Sequence, residues 1–171
     1  VIAGTLTAAQ SFIVTHTITA ANSGGSVTAT VSLIYNTAPT GIALAPAAVA
    51  ENASSGTTVG TLSATDADTG DTFTYALVSG TGATDNAIFT IAGANLRTAA
   101  VFDFETNASY SVRVRVTDAG GLTFERALTI TVTNVNEAPT VLTLSAATVA
   151  ESAASGTTVG SLSATDVDAN D

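Results

Sequence analysis

The chain holds 14 acidic residues against four arginines and no lysine, and the acids are not scattered. In order along the chain they fall in VAENAS, ATDADTGD, FDFET, VTDAGG and NVNEAP, after which VAESAA and ATDVDAND begin the series again. Twelve of the 14 lie in these motifs: Glu51, Asp66, Asp68, Asp71, Asp103, Glu105, Asp118, Glu137, Glu151, Asp166, Asp168 and Asp171. Only Asp85 and Glu125 lie outside. A single Asp-x-Asp in a loop is commonly a turn former, and a negative surface is ordinarily a solvated one. A surface charged only for solubility has no reason to concentrate its charge this way. Carboxylates gathered at one place repel each other, and they are the donor type that a hard cation takes. Other chemistry finds little support. His16 is the only histidine and cysteine is absent, so no zinc set can form. The serines and threonines have no GxSxG elbow around them. The two carboxylates of FDFET, two residues apart on one strand end, point the same way and do not flank a sugar bond. No catalytic residue and no enzyme activity are expected.

The elements that must position these acids are strands. Ala, Thr, Ser, Val and Gly dominate, with no Trp, Met or Cys, a composition suited to a β-rich core without disulfides. Residues 37–71 return as residues 137–171, with 22 identities over 35 positions and no gap. The 100-residue offset is too long for a solenoid turn and suits a sandwich of immunoglobulin size. The expected division is residues 1–37 as the last strands of a preceding β-domain, 38–137 as a complete repeat, and 138–171 as the first strands of the next. In the flank, Phe12, Val14, His16 and Ile18 share one side of an alternating run, AANSGG turns the chain, and residues 27–35 return. In the repeat, strands are predicted near 42–50, 57–64, 72–78, 87–91, 95–98, 110–117 and 122–132. YSVRVRV sets Val112, Val114 and Val116 on one face and Arg113 and Arg115 on the other. No segment has a helical period, and no apolar run is long enough to span a membrane.

The order of the acidic motifs resembles the calcium motifs of cadherin repeats: an early Glu, Asp-x-Asp, Asp-x-Glu, a later strand-end Asp, and an Asn/Asp linker before Ala-Pro. NVNEAPT looks most like the junctions of cadherin-like repeats in large bacterial surface proteins. The resemblance implies an all-β fold of tandem Ig-like, cadherin-like Greek-key β-sandwiches with a period of about 100 residues. It implies calcium ligands at two joints. At the second, Glu51, Asp103, Glu105, Asn136 and Glu137 would meet Asp166 and Asp168, with carbonyls from Val135 and near Asp171; Asn134 stands where a linker Asp is common. At the first, Asn36 would join Asp66, Asp68, Asp71 and Asp118. Thr37 stands where Glu137 would supply a carboxylate, so the first joint is expected to bind fewer ions or to bind them more weakly.

A string of such sandwiches with calcium at its joints makes a rod. The expected function is a calcium-stiffened repeat region of a large extracellular surface or secreted protein, serving as adhesin stalk or adhesion spacer. Its partners would be neighbouring repeats of the same chain, homophilic or filament contacts, and surface glycans or proteins. Two alternatives stand beside it. One is a subunit of an extracellular filament or matrix joined by strand complementation. The other is an accessory carbohydrate-binding module, although the chain has no Trp for an aromatic platform. The formal charge of −10 excludes a nucleic-acid binder. Asn52-Ala-Ser54 and Asn107-Ala-Ser109 match the glycosylation sequon, which matters only where the source glycosylates such sites.

Overall fold

The computed structural model describes residues 14–33 and 35–168. Among the described residues twelve strands carry the fold, and the helical content is a single 3-10 turn at Asn86–Ile88. Strands β1 (Val14–Asn22) and β2 (Gly25–Leu33) form an antiparallel hairpin. Next come β3 (Gly41–Ala45), β4 (Ala48–Ala50), β5 (Thr58–Thr65), β6 (Thr74–Leu77), β7 (Phe89–Ala92), β8 (Asn95–Thr98), β9 (Ser109–Thr117) and β10 (Thr123–Thr133). They build two four-stranded sheets, in the orders β3-β5-β8-β7 and β4-β10-β9-β6. A final pair, β11 (Val141–Leu144) and β12 (Leu162–Thr165), is antiparallel.

Alternation makes the core. Val112, Val114 and Val116 of β9 and Ile130 and Val132 of β10 lie inward and fully buried, and Ile42, Val59, Leu62 and Leu96 meet them from the other sheet. On the outer face Glu125 of β10 lies opposite Arg115 and accepts from both Arg113 Nε (2.9 Å) and Arg115 Nε (2.8 Å). That explains one of the two acids outside the motifs. The other, Asp85, accepts from the Ser111 N–H at 2.7 Å and fixes the loop ahead of β7.

One predicted strand is two. Residues 42–50 divide at the cis Ala45–Pro46 bond into β3, which pairs antiparallel with β5, and β4, which pairs parallel with β10 in the other sheet. Proline has no N–H for a ladder, so a switch of sheets is well placed there. Gly60, at the register shift of β5, allows the crossing: a Cβ there would run into the Pro46 carbonyl. The predicted run 87–91 likewise begins as the 3-10 turn and becomes a strand only at Phe89.

The internal repeat extends to hydrogen bonds. Gly41 pairs with Thr65 and Leu44 with Leu62, and 100 residues later Val141 pairs with Thr165 and Leu144 with Leu162. The Thr40 N–H donates to the Thr65 carbonyl at 2.7 Å, and Thr140 to Thr165 at 2.8 Å.

Candidate metal centre

Two acidic clusters sit at opposite ends of the β3–β10 sandwich. At one end, β4 runs beside the last residues of β10, with Ala50 opposite Thr133, and the Glu51 N–H continues the pairing to the Thr133 carbonyl. Glu51 therefore emerges against the segment 134–137. It is 3 % exposed, and its carboxylate accepts from the Phe104 N–H (2.8 Å) and the Val135 N–H (2.7 Å). One buried carboxylate thus ties the FDFET loop to the linker. The loop itself is anchored by packing: Phe102 is buried, with its ring 5.3 Å from Phe89 and 4.6 Å from Tyr110. Such aromatic contacts hold the intervening carboxylates at the rim. Glu51, Glu105 and Glu137 each offer an oxygen, all within 4.8 Å of one another.

The residues after β12 approach the same place. Asp168 accepts from the Glu137 N–H at 2.7 Å and from Asn134 Nδ2 at 2.8 Å. A recess there is lined by Asn136, Glu137, Pro139, Ala164, Asp166 and Asp168. The electrostatics are those of crowded like charges. Burial, and then the neighbours Glu51, Glu137 and Asp168, push the Glu105 carboxyl up from its ordinary value. Glu137 is pushed up by burial and by Glu51 and Asp168. Asp168 moves the other way, held down first by the Glu137 N–H and then by Asn134.

At the other end, Asp66, Asp71 and Asp118 bring oxygens within 4.8 Å of one another. Asp118, at the end of β9, is 6 % exposed and accepts from the Leu122 N–H (2.8 Å) and Asn36 Nδ2 (3.0 Å). Asp68 accepts from the Thr37 N–H at 2.7 Å and from its hydroxyl at 2.8 Å. Burial raises the Asp71 carboxyl, with Asp68, Asp66 and Asp118 adding to the shift.

Hydrogen bonds also place three more of the expected residues. Asp103 accepts from the Thr106 hydroxyl (2.8 Å) and N–H (3.0 Å), which hold its carboxyl below the usual range. The Asn136 amide donates to the Glu137 carbonyl at 2.8 Å, and Val135 contributes its N–H to Glu51. Asp171 lies outside the described residues.

The cadherin-domain family model matches residues 45–133, more than half of the chain. The chain belongs to the cadherin family. Solved cadherin structures share its fold. The match to human CDH23 EC21-23 covers 85 % of this chain and 49 % of that one, at 18 % identity and a TM-score of 0.55. For protocadherin gamma B2 domains 3-6 the figures are 84 %, 39 %, 19 % and 0.54. For protocadherin gamma B7 domains 1-4 they are 91 %, 41 %, 24 % and 0.52. The chain thus spans less than half the length of these neighbours. No curated protein sequence matches it.

Cadherin domains are non-enzymatic, adhesion-type extracellular modules and generally bind calcium. The cadherin repeat here fits that ion by a test of its own atoms. Asp66 Oδ2, Asp71 Oδ2, Glu137 Oε2 and Asp166 Oδ2 are buried oxygens with no hydrogen-bond partner. A buried carboxylate oxygen left unpaired is costly, and a cation removes the cost. Sequence reasoning missed Asn52, whose amide donates to Glu137 Oε1. It also missed Gly120, where a Cβ would strike the Asn36 side chain. The structure gives Asn52 a positive φ of 57°, a region Asn tolerates, and its residue type was the one trace of this in the sequence.

Proposed function

We propose that the chain is a calcium-stiffened repeat region of a large extracellular surface protein, acting as an adhesin stalk or adhesion spacer of the type found in bacterial surface proteins. In this reading residues 38–137 are one complete repeat, residues 1–37 close the module before it, and residues 138–171 open the one after. The observation that carries the reading is the set of four unpaired, buried carboxylate oxygens, all in the acidic motifs at the repeat ends. Calcium would supply the positive charge those oxygens lack and accept six to eight oxygen donors in a flexible shell. Glu51, Glu105 and Glu137, with Asp166 and Asp168, would hold it at the second joint. Asp66, Asp71 and Asp118, with Asp68 and Asn36, would hold it at the first.

The roles differ by residue. Glu51 is positioned by two N–H donors, so it acts as the fixed wall of its site. Glu137 belongs to the linker, so its engagement couples one repeat to the next. Thr37, its counterpart at the first joint, brings a hydroxyl that already donates to Asp68 and Asp66 (2.8 and 3.3 Å) and adds no charge. Calorimetric titration of the 171-residue chain with calcium tests the proposal. Uptake should occur at both ends, more weakly at the first joint, and a chain that takes up no calcium would sink it.

A further inference from the structure

Two carboxamides donate to the carboxylates of the second joint. Asn134 Nδ2 donates to Asp168 Oδ1 at 2.8 Å and to Glu105 Oε1 at 3.2 Å, so one neutral amide bridges two acids that flank the linker. Asn52 Nδ2 donates to Glu137 Oε1. The Asn52 backbone is fixed by its N–H to the Phe102 carbonyl at 2.9 Å, and its left-handed φ of 57° aims the side chain from a tight turn. The Glu137 N–H then closes the set on Asp168 Oδ2 at 2.7 Å. Hydrogen bonds from amides to carboxylates are charge-assisted and stronger than neutral ones. At the first joint the 100-residue offset puts Ile34 and Thr37 where Asn134 and Glu137 stand. The Thr37 N–H makes the matching bond to Asp68 Oδ2 at 2.7 Å, but Ile34 has no carboxamide to donate and Thr37 no carboxylate to receive one.

We infer that Asn52 and Asn134 form a metal-independent latch, which holds Glu137 and Asp168 in place at the second joint before any cation binds. An amide at position 134 donates to the acids on either side, whereas an aspartate would add a third like charge beside Glu105 and Asp168. The latch thus trades ion affinity for order in the ion-free joint. At the first joint a single carboxamide among the described residues, Asn36, donates to Asp118, so the pair of amides distinguishes the second joint, and the latch rests on the calcium reading only for the affinity half of that trade.

Asn134→Asp, Asn134→Ala and Asn52→Ala in the full 171-residue chain test it, since position 134 is exposed and the core strands do not depend on it. Amide hydrogen exchange of Glu137 is measured in chelator and in calcium, with Val114 and Ile130 as core controls, and calcium uptake is measured by calorimetry. In chelator the wild-type Glu137 amide should be protected, and each variant should lose that protection about tenfold or more while the controls hold. In calcium, Asn134→Asp should recover protection and bind the ion more tightly than wild type, while Asn134→Ala should not bind more tightly. A Glu137 amide unprotected in wild-type chelated protein, or variants that exchange like wild type, would overturn the latch. Absence of calcium uptake in every chain would defeat the calcium reading instead and leave the exchange result to decide the latch.

Discussion

Glu105 is the acid whose loss separates the two joints. Its oxygen belongs to the Glu51, Glu105 and Glu137 set and to nothing at the other end. Glu105→Gln should therefore weaken calcium binding at the second joint about tenfold, the scale on which ligand charge count tunes such sites, and leave the first unchanged. Backbone amides report each end: Phe104 and Val135 donate to Glu51, and Leu122 donates to Asp118. In a calcium titration followed by NMR, equal weakening at both ends would refute the assignment. A second residue-scale test avoids the ion altogether. Arg115 and then Arg113 hold the Glu125 carboxyl below its ordinary 4.5. A depressed folded-state pKa contributes stability above the unfolded value, lost as pH falls through the folded one. Glu125→Gln should lower the melting temperature slightly near neutral pH, and the difference should shrink as pH falls below 4.5 and vanish below the depressed folded-state value. A difference that persists at low pH would assign the effect to packing. The acids themselves were legible in the sequence because charge and motif order are written there. Asn52 and Asn134 were not legible as latch residues, because a carboxamide announces no chemistry until its two neighbours are placed in space.

At the scale of elements, alternation in YSVRVRV foretold β9 and its buried face, and a nine-residue strand with three fully buried valines is the result. What the pattern could not foretell was the change of sheet between β3 and β4, since Ile42, Leu44 and Val49 read as one apolar run whichever sheet each part joins. The switch is marked in the chain by Pro46 together with Gly60, which is distant in sequence and meets it only on folding. Gly60→Ala forces a methyl against the Pro46 carbonyl, a backbone group that cannot rotate away. The substitution should cost about 1–3 kcal/mol, as overpacking does. Chemical denaturation would show a lower midpoint at unchanged slope. Because β4 delivers Glu51, calcium affinity at the second joint should fall in parallel, and Gly60→Ala with wild-type stability would mean that the crossing has room to spare.

For the whole molecule, the repeat is legible in the amino-acid sequence alone, because 22 identities at a fixed offset require no geometry. The matching hydrogen bonds at Thr40 and Thr140 show that sequence copy and structural copy coincide. On the calcium reading proposed above, the mechanics of the chain should depend on its solvent. In calcium, neutralised clusters would let linker and repeat ends close. In chelator, crowded carboxylates at Asp66, Asp71 and Asp118, and at Glu51, Glu105 and Glu137, would oppose closure, with the hydrogen bonds at the second joint acting against them. Chelation should therefore lower the melting temperature and broaden the distance distribution seen by small-angle scattering. Salt separates the two causes. At 1 M the screening length is about 3 Å, so sodium chloride added to the chelated chain should relieve the repulsion and restore part of the melting temperature. It supplies no ion that several oxygens share, so the broad distance distribution should remain. Full recovery of stiffness in salt alone would show that charge relief suffices and that no bridging ion is needed, whereas a chain indifferent to both chelator and salt would leave its acidic ends without a mechanical role.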